Sequence, residues 1–184
     1  MKKVIVCLAD GFEEIEAVGI IDTLRRADLQ VTALSVTGKS EVTGAHGIRI
    51  LADKLFDEVD FSGYDMLVLP GGMPGARNLK EHSDLREKIV EFNAQEKFLG
   101  AICAAPMVFG DLGLLKGRDA TCYPGFGEYL LNARVITEPV VEDHHIITGR
   151  GPGLVFHFAL RLVEKLCGKQ TAAQVAGQML LKEN

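Results

Sequence analysis

The strongest constraint on this chain is a rhythm. Short, continuously apolar runs alternate with stretches whose apolar residues recur at helical spacing. The runs are Val4–Leu8, Val31–Val36, Met66–Leu69, Phe98–Ile102 and Ile146–Thr148. The helical patterns lie at about Glu14–Ala27, Leu85–Ala94, Ala104–Leu112, Leu154–Leu166 and Thr171–Leu180. A strand that is apolar on both faces must be covered on both, and a helix between two such strands makes their pairing parallel. The expected architecture is therefore a single-domain α/β sandwich of flavodoxin-like layout over residues 1–184, a mostly parallel sheet with helices on both faces. Glu41–Leu51 reads as a small hairpin on a sheet edge, and Val140–Thr148 as another. Glycine supplies 20 of 184 residues. At about 11% against a usual ~7%, it gathers at strand ends, as tight strand-to-helix turns require.

Composition narrows the function classes. Hydrophobic residues at 47% and charged residues at 24% suit a folded globular chain rather than a disordered one. A net charge of −5 argues against binding a phosphate backbone, which wants a basic face. No apolar run approaches the ~20 residues of a membrane span. The start, Met-Lys-Lys before Val4–Leu8, has the outline of a signal peptide, but Asp10-Gly11 and three glutamates cut its apolar run short. Export is not expected, and a cytoplasmic setting is. Cys7, Cys103, Cys122 and Cys167 stand singly, with no C-x-x-C pair, so neither a disulfide framework nor a zinc site is indicated.

In a sheet of this kind ligands bind at the carboxyl ends of the strands. The informative residues are then Asp10-Gly11, Pro70-Gly71-Gly72, Cys103-Ala104-Ala105-Pro106 and Gly149-Arg150-Gly151-Pro152-Gly153. Cys103 ends one strand and opens a helix. A nucleophile on so sharp a turn projects into the crevice, and the positive end of the helix would lower its pKa toward the reactive thiolate. A small hydrophobe buried at a turn is the alternative. Gly71 and Gly72 let backbone N–H groups approach a ligand, and the Gly72 and Ala104 amides together would make an oxyanion hole. An ordinary glycine-rich turn would read the same. Glu16 has Phe12, Gly19 and Ile20 as its helical neighbours, a face that is apolar or bare. A carboxyl there is desolvated and its pKa raised, unless the helix simply turns it to solvent.

Other candidates carry less. His144 and His145 are adjacent on an extended segment and point opposite ways, so one site cannot take both. No histidine pair has H-x-x-x-H spacing, and no metal is expected. Cys7 reads as core and Cys167 as the end of a helix. Cys122, just before Tyr123-Pro124, is a candidate thiol to resolve an oxidised Cys103. Gly149–Gly153 fails both the G-x-G-x-x-G and the Walker patterns, and reads as a helix entry lining the crevice.

Taken in order, Glu13-Glu14-Ile15-Glu16, Leu69-Pro70-Gly71-Gly72, Ala101-Ile102-Cys103-Ala104-Ala105-Pro106 and Thr148-Gly149-Arg150-Gly151-Pro152-Gly153 resemble the ThiJ/PfpI superfamily. Within it the resemblance is to the subgroup of the parkinsonism-associated deglycase and its small bacterial relatives. It covers essentially the whole chain. It implies that Cys103 is an oxidisable nucleophile, that Glu16 is a protonated glutamate hydrogen-bonded to it, and that the Gly72 and Ala104 amides surround the sulfur. It implies a cofactor-free glyoxalase or deglycase acting on a small-molecule aldehyde or a glycated adduct, or alternatively a redox-responsive stress protein or chaperone that forms a Cys103 sulfinate. A homodimer whose interface includes the Glu16 helix is also implied. Tyr123 stands where the subgroup often has histidine, and it cannot relay protons at neutral pH as imidazole does. Ala104 stands where the protease branch has histidine, so peptidase activity is not expected. His46 replaces an arginine common in relatives. A glutaminase would need a His-x-Glu that His144-His145-Ile146 does not supply.

Overall fold

The computed structural model describes residues 1–181. Seven strands form one sheet: β1 (Lys3–Leu8), β2 (Gln30–Ser35), β5 (Lys54–Leu55), β6 (Met66–Leu69), β7 (Phe98–Ile102), β10 (Val140–Asp143) and β11 (Ile146–Gly149). Their spatial order is β10-β11-β7-β6-β1-β2-β5, all neighbours parallel except β10 with β11. Each parallel pairing follows from an intervening crossover, as the alternating sequence pattern requires.

The period of two along each strand divides the core in half. Val4, Val6 and Leu8 of β1 and Met66 and Val68 of β6 face one side, where they meet α1 (Glu14–Arg26), α5 (Val155–Cys167) and α6 (Lys169–Gln178). Ile5, Cys7, Leu67 and Leu69 face the other, against α2 (Gly75–Glu81), α3 (Ser83–Ala94) and α4 (Pro106–Asp111). Cys7 is fully buried, as its place inside a strand implied. The strands facing both halves are buried almost throughout, so the apolar runs were continuous rather than alternating.

Three local readings change. The Glu41–Leu51 segment does form a hairpin, β3 (Glu41–Thr43) with β4 (Arg49–Leu51), but as a separate two-stranded sheet. The edge beside β2 is held instead by β5. The hairpin is fastened to the start of α1 by a bridge between Phe12 and Gly44, and by Glu14, whose Oε1 accepts the His46 N–H at 2.7 Å. Second, the helix expected from Ala104 begins only at Pro106, because Cys103–Ala105 form a tight turn. Third, α2 forms where the sequence shows no helical stripe. Its buried face is Gly75, Ala76 and Leu79, too small to write an apolar stripe. A further pair, β8 (Asp119–Ala120) and β9 (Arg134–Val135), lies apart from the main sheet.

No helix among the described residues is long and apolar enough to cross a membrane.

Candidate active site at the strand tips

The loop after β6 is shaped by close approach. At Gly71 an added Cβ would lie 2.7 Å from Cys103 Cβ and 2.8 Å from Glu16 Oε2. Gly72 has φ +89, and a Cβ there would run into the backbone of Phe12 and Glu13. Only glycine fits at either position. The Gly71 carbonyl accepts the Glu13 N–H at 2.8 Å, which locks this loop to the entry of α1.

Cys103 follows β7 with φ +65, a left-handed conformation that costs a non-glycine residue on the order of 1–3 kcal/mol. Two hydrogen bonds hold it there. Its N–H donates to Gly149 O at 2.9 Å, and its carbonyl accepts the Tyr123 N–H at 2.9 Å. The side chain, 9% exposed, thereby enters the crevice between the tips of β1, β6, β7 and β11. The Gly72 and Ala104 amides lie on the sulfur's side of the turn and act to lower its pKa. The amide pair read from the sequence is thus assembled beside the thiol.

Glu16 is fully buried on α1. Its Oε2 accepts the Gly71 N–H at 2.7 Å. Its Oε1 is buried with no conventional hydrogen-bond partner, and the group coupled to it is the Cys103 thiol. Burial pushes the carboxyl up to about 7, against the pull of the Gly71 amide and the thiol. The bare face expected around it is present, since the next turn places Gly19 against Val155, leaving 3.2 Å for an added Cβ.

The thiol corrects one expectation. Burial pushes Cys103 up, and the Glu16 carboxylate pushes it further, while the Gly72 and Ala104 amides pull it down. The upward causes win. The α4 helix is only six residues long and starts three residues on, so its dipole cannot offset a buried carboxylate. Burial thus raises thiol and carboxyl both above their ordinary values, and the carboxylate adds to the rise of the thiol.

Tyr123 frames the mouth. Its ring is 45% exposed, backs onto Gly151 with 3.1 Å left for an added Cβ, and meets Phe126 edge-on at 6.5 Å. Gly149–Gly153 therefore does line the crevice. Cys122, one residue earlier, packs into the α2–α4 half of the core, whereas Cys103 packs with the α1–α5 half. With its sulfur in the other half of the core, Cys122 is poorly aimed to resolve Cys103. His144 lies exposed at a turn, His145 Nε2 pairs with Asn93 Oδ1 at 3.0 Å, and His157 is exposed on α5.

Sequence reasoning missed one cluster. Glu13, Glu14 and His46 bring their donor atoms within 4.8 Å of one another. His46 Nδ1 lies 2.8 Å from Glu14 Oε2 and 3.7 Å from Glu13 Oε2. Glu14 is already engaged by the His46 N–H and, at 3.4 Å, by the Ile48 N–H, so the cluster fastens the β3–β4 hairpin. No sequence spacing could have paired residues 32 positions apart.

Comparison with known proteins accords with this geometry. Residues 2–165 match the DJ-1/PfpI family. The chain is 41% identical over 185 residues to Protein DJ-1 homolog B of Arabidopsis thaliana, covering 100% of this chain but 42% of that protein. It thus spans less than half the length of that relative. It is 35% identical to the Parkinson disease protein 7 homolog of Danio rerio, covering 99% of this chain and 98% of that one. Among solved structures, oxidized Toxoplasma gondii DJ-1 superposes with a TM-score of 0.96 at 38% identity over the full length of both chains.

Proposed function

The chain belongs to the DJ-1/PfpI family, and on that premise we propose that it is a cofactor-free glyoxalase- or deglycase-type enzyme acting on small 2-oxoaldehydes or their adducts. One observation carries the reading: a fully buried Glu16 with pKa about 7 turns its one unpartnered oxygen to the Cys103 thiol. A carboxyl poised there exchanges protons at neutral pH.

Cys103 sulfur bonds the aldehyde carbon while its proton passes to Glu16, and the Gly72 and Ala104 amides hold the oxyanion. Glu16 returns that proton to the oxygen, giving a hemithioacetal. It then removes the proton from the former aldehyde carbon and delivers it to the neighbouring carbonyl carbon, while the hydroxyl proton passes to the neighbouring oxygen, forming a 2-hydroxy thioester. Water releases the 2-hydroxy acid, lactate from methylglyoxal, and restores the thiol. Tyr123, half-exposed at the mouth, would hydrogen-bond substrate oxygen rather than relay protons. The test is methylglyoxal consumption with lactate quantified. Glu16→Gln should lose turnover by at least about 100-fold while a Cys103 adduct remains detectable by mass. Full activity in that variant removes Glu16 from the mechanism, and activity in Cys103→Ser removes the nucleophile.

A second reading, a redox-responsive stress protein or chaperone, is favoured by the same three contacts around one sulfur. Two equivalents of peroxide would convert the thiol to a sulfinate and two waters, with Glu16 and the two amides as its partners. Peroxide titration should then stop at about +32 Da on Cys103 alone. For assembly, a homodimer through the α1 face fits the exposed Ile15, Val18, Ile48 and Leu51. The four free thiols suit a reducing cytoplasm.

A further inference from the structure

Among the described residues, three His, Cys, Asp or Glu side chains bring their donor atoms within 4.8 Å of one another in one place, at Glu13, Glu14 and His46. The fold gathers them from two segments. Glu13 caps α1, Glu14 opens it, and His46 stands in the turn between β3 and β4. Glu14 is 5% exposed, and the backbone makes room for it, since an added Cβ at Gly44 would run into its carboxyl. Its Oε1 is taken by the His46 and Ile48 amides. Its Oε2 faces the His46 ring, 2.8 Å from Nδ1. Among the described residues Glu13 pairs with that nitrogen alone, at 3.7 Å. One ring nitrogen thus stands before two carboxylate oxygens, and a single N–H serves only one of them well. The His46 side chain is 69% exposed, so the remaining side is open to water.

We propose that these three residues form a zinc site, with Glu13 Oε2, Glu14 Oε2 and His46 Nδ1 as ligands and water completing the shell. Zinc takes imidazole nitrogen and carboxylate oxygen at about 2.0–2.2 Å, whereas calcium and magnesium favour oxygen alone. Two ligands on one tetrahedral zinc stand about 3.3 Å apart. The separations of 2.8 and 3.7 Å bracket that value, and an exposed imidazole can make the small adjustment. A dication also offsets the repulsion between adjacent carboxylates. The positive end of α1 opposes it, so the affinity is on the order of micromolar rather than nanomolar. The metal ties the β3–β4 hairpin to the helix that carries Glu16. It takes no part in the thiol chemistry, and the proposal stands independently of that reading.

The test is uptake of zinc alone by chelator-stripped protein, read by competition with a chromophoric chelator. The wild type should bind one zinc per chain. His46→Arg keeps a cation beside both carboxylates but cannot ligate, and Glu13→Gln removes one ligand charge. Each should weaken binding at least about tenfold. Zinc should raise the melting temperature of the wild type and leave that of His46→Arg unchanged. X-ray absorption of the wild type carrying one equivalent of zinc keeps the proposal exposed if the variants fold poorly. It should show nitrogen and oxygen at about 2.0–2.2 Å and no sulfur at about 2.3 Å. Sulfur in that shell means that a cysteine holds the metal, and overturns the proposal. So does a wild type that takes up no zinc, or binding that both variants retain at full strength.

Discussion

Glu16 uses its two carboxylate oxygens differently, and that division sets how the molecule responds to pH. Oε2 is held by the Gly71 amide, and Oε1 is left to the thiol. Its folded pKa of about 7 lies above the ordinary value of 4.5. The protonated form therefore stabilises the fold below pH 4.5, and that contribution is lost as pH rises through 7, on the order of 3 kcal/mol in all. Urea unfolding of the wild type and Glu16→Gln at pH 5 and pH 8 should show the wild type losing stability relative to the variant at the higher pH. A difference independent of pH would mean that another group titrates. Glu16 was legible in the sequence because its neighbours Phe12, Gly19 and Ile20 are local and helical spacing brings them together. The upward push on Cys103 was not legible. It depends on a carboxylate 87 positions away, and no spacing rule joins α1 to the tip of β7.

At the scale of elements, α5 reaches the site through the sheet. Phe158 fills a slot left by two glycines. An added Cβ at Gly149 would lie 2.9 Å from its ring, and one at Gly100 3.2 Å. Gly149 is also the residue whose carbonyl holds the Cys103 amide. Phe158→Ala should cost about 3–5 kcal/mol in chemical denaturation, the usual cost of emptying so large a buried site. A loss under about 1 kcal/mol would mean that the helix settles into the gap. The strands and long helices were readable because burial on both faces writes continuous apolar runs and one-sided burial writes a stripe. The β3–β4 hairpin was readable as a hairpin but not in its place. Its attachment depends on Glu14 meeting the His46 and Ile48 amides across the fold.

Over the whole molecule, several large apolar side chains stay exposed. Ile15 and Val18 of α1 and Ile48 and Leu51 of the hairpin region are exposed by 59%, 49%, 60% and 74%, on segments that Glu14 and Phe12 bind together. Large apolar side chains left exposed on segments fastened together favour a second copy over water. Sedimentation of the proposed dimer should give twice the 20.0 kDa of one chain, and Val18→Asp with Leu51→Asp should return the single-chain mass. A wild type that sediments as one chain at every concentration removes the dimer. Because Glu14 ties the hairpin half of this surface to the helix that carries Glu16, loss of the dimer should also be checked for loss of turnover.

The two hydrogen bonds that grip Cys103, one from each flanking segment, bear on any reporter group attached to its sulfur. A side chain hung from backbone pinned at both its N–H and its carbonyl has few ways to swing. A fluorine tag or spin label there would ride on a fixed platform rather than on a loop. Its line shape would follow what enters the crevice and would be nearly blind to motions elsewhere in the chain.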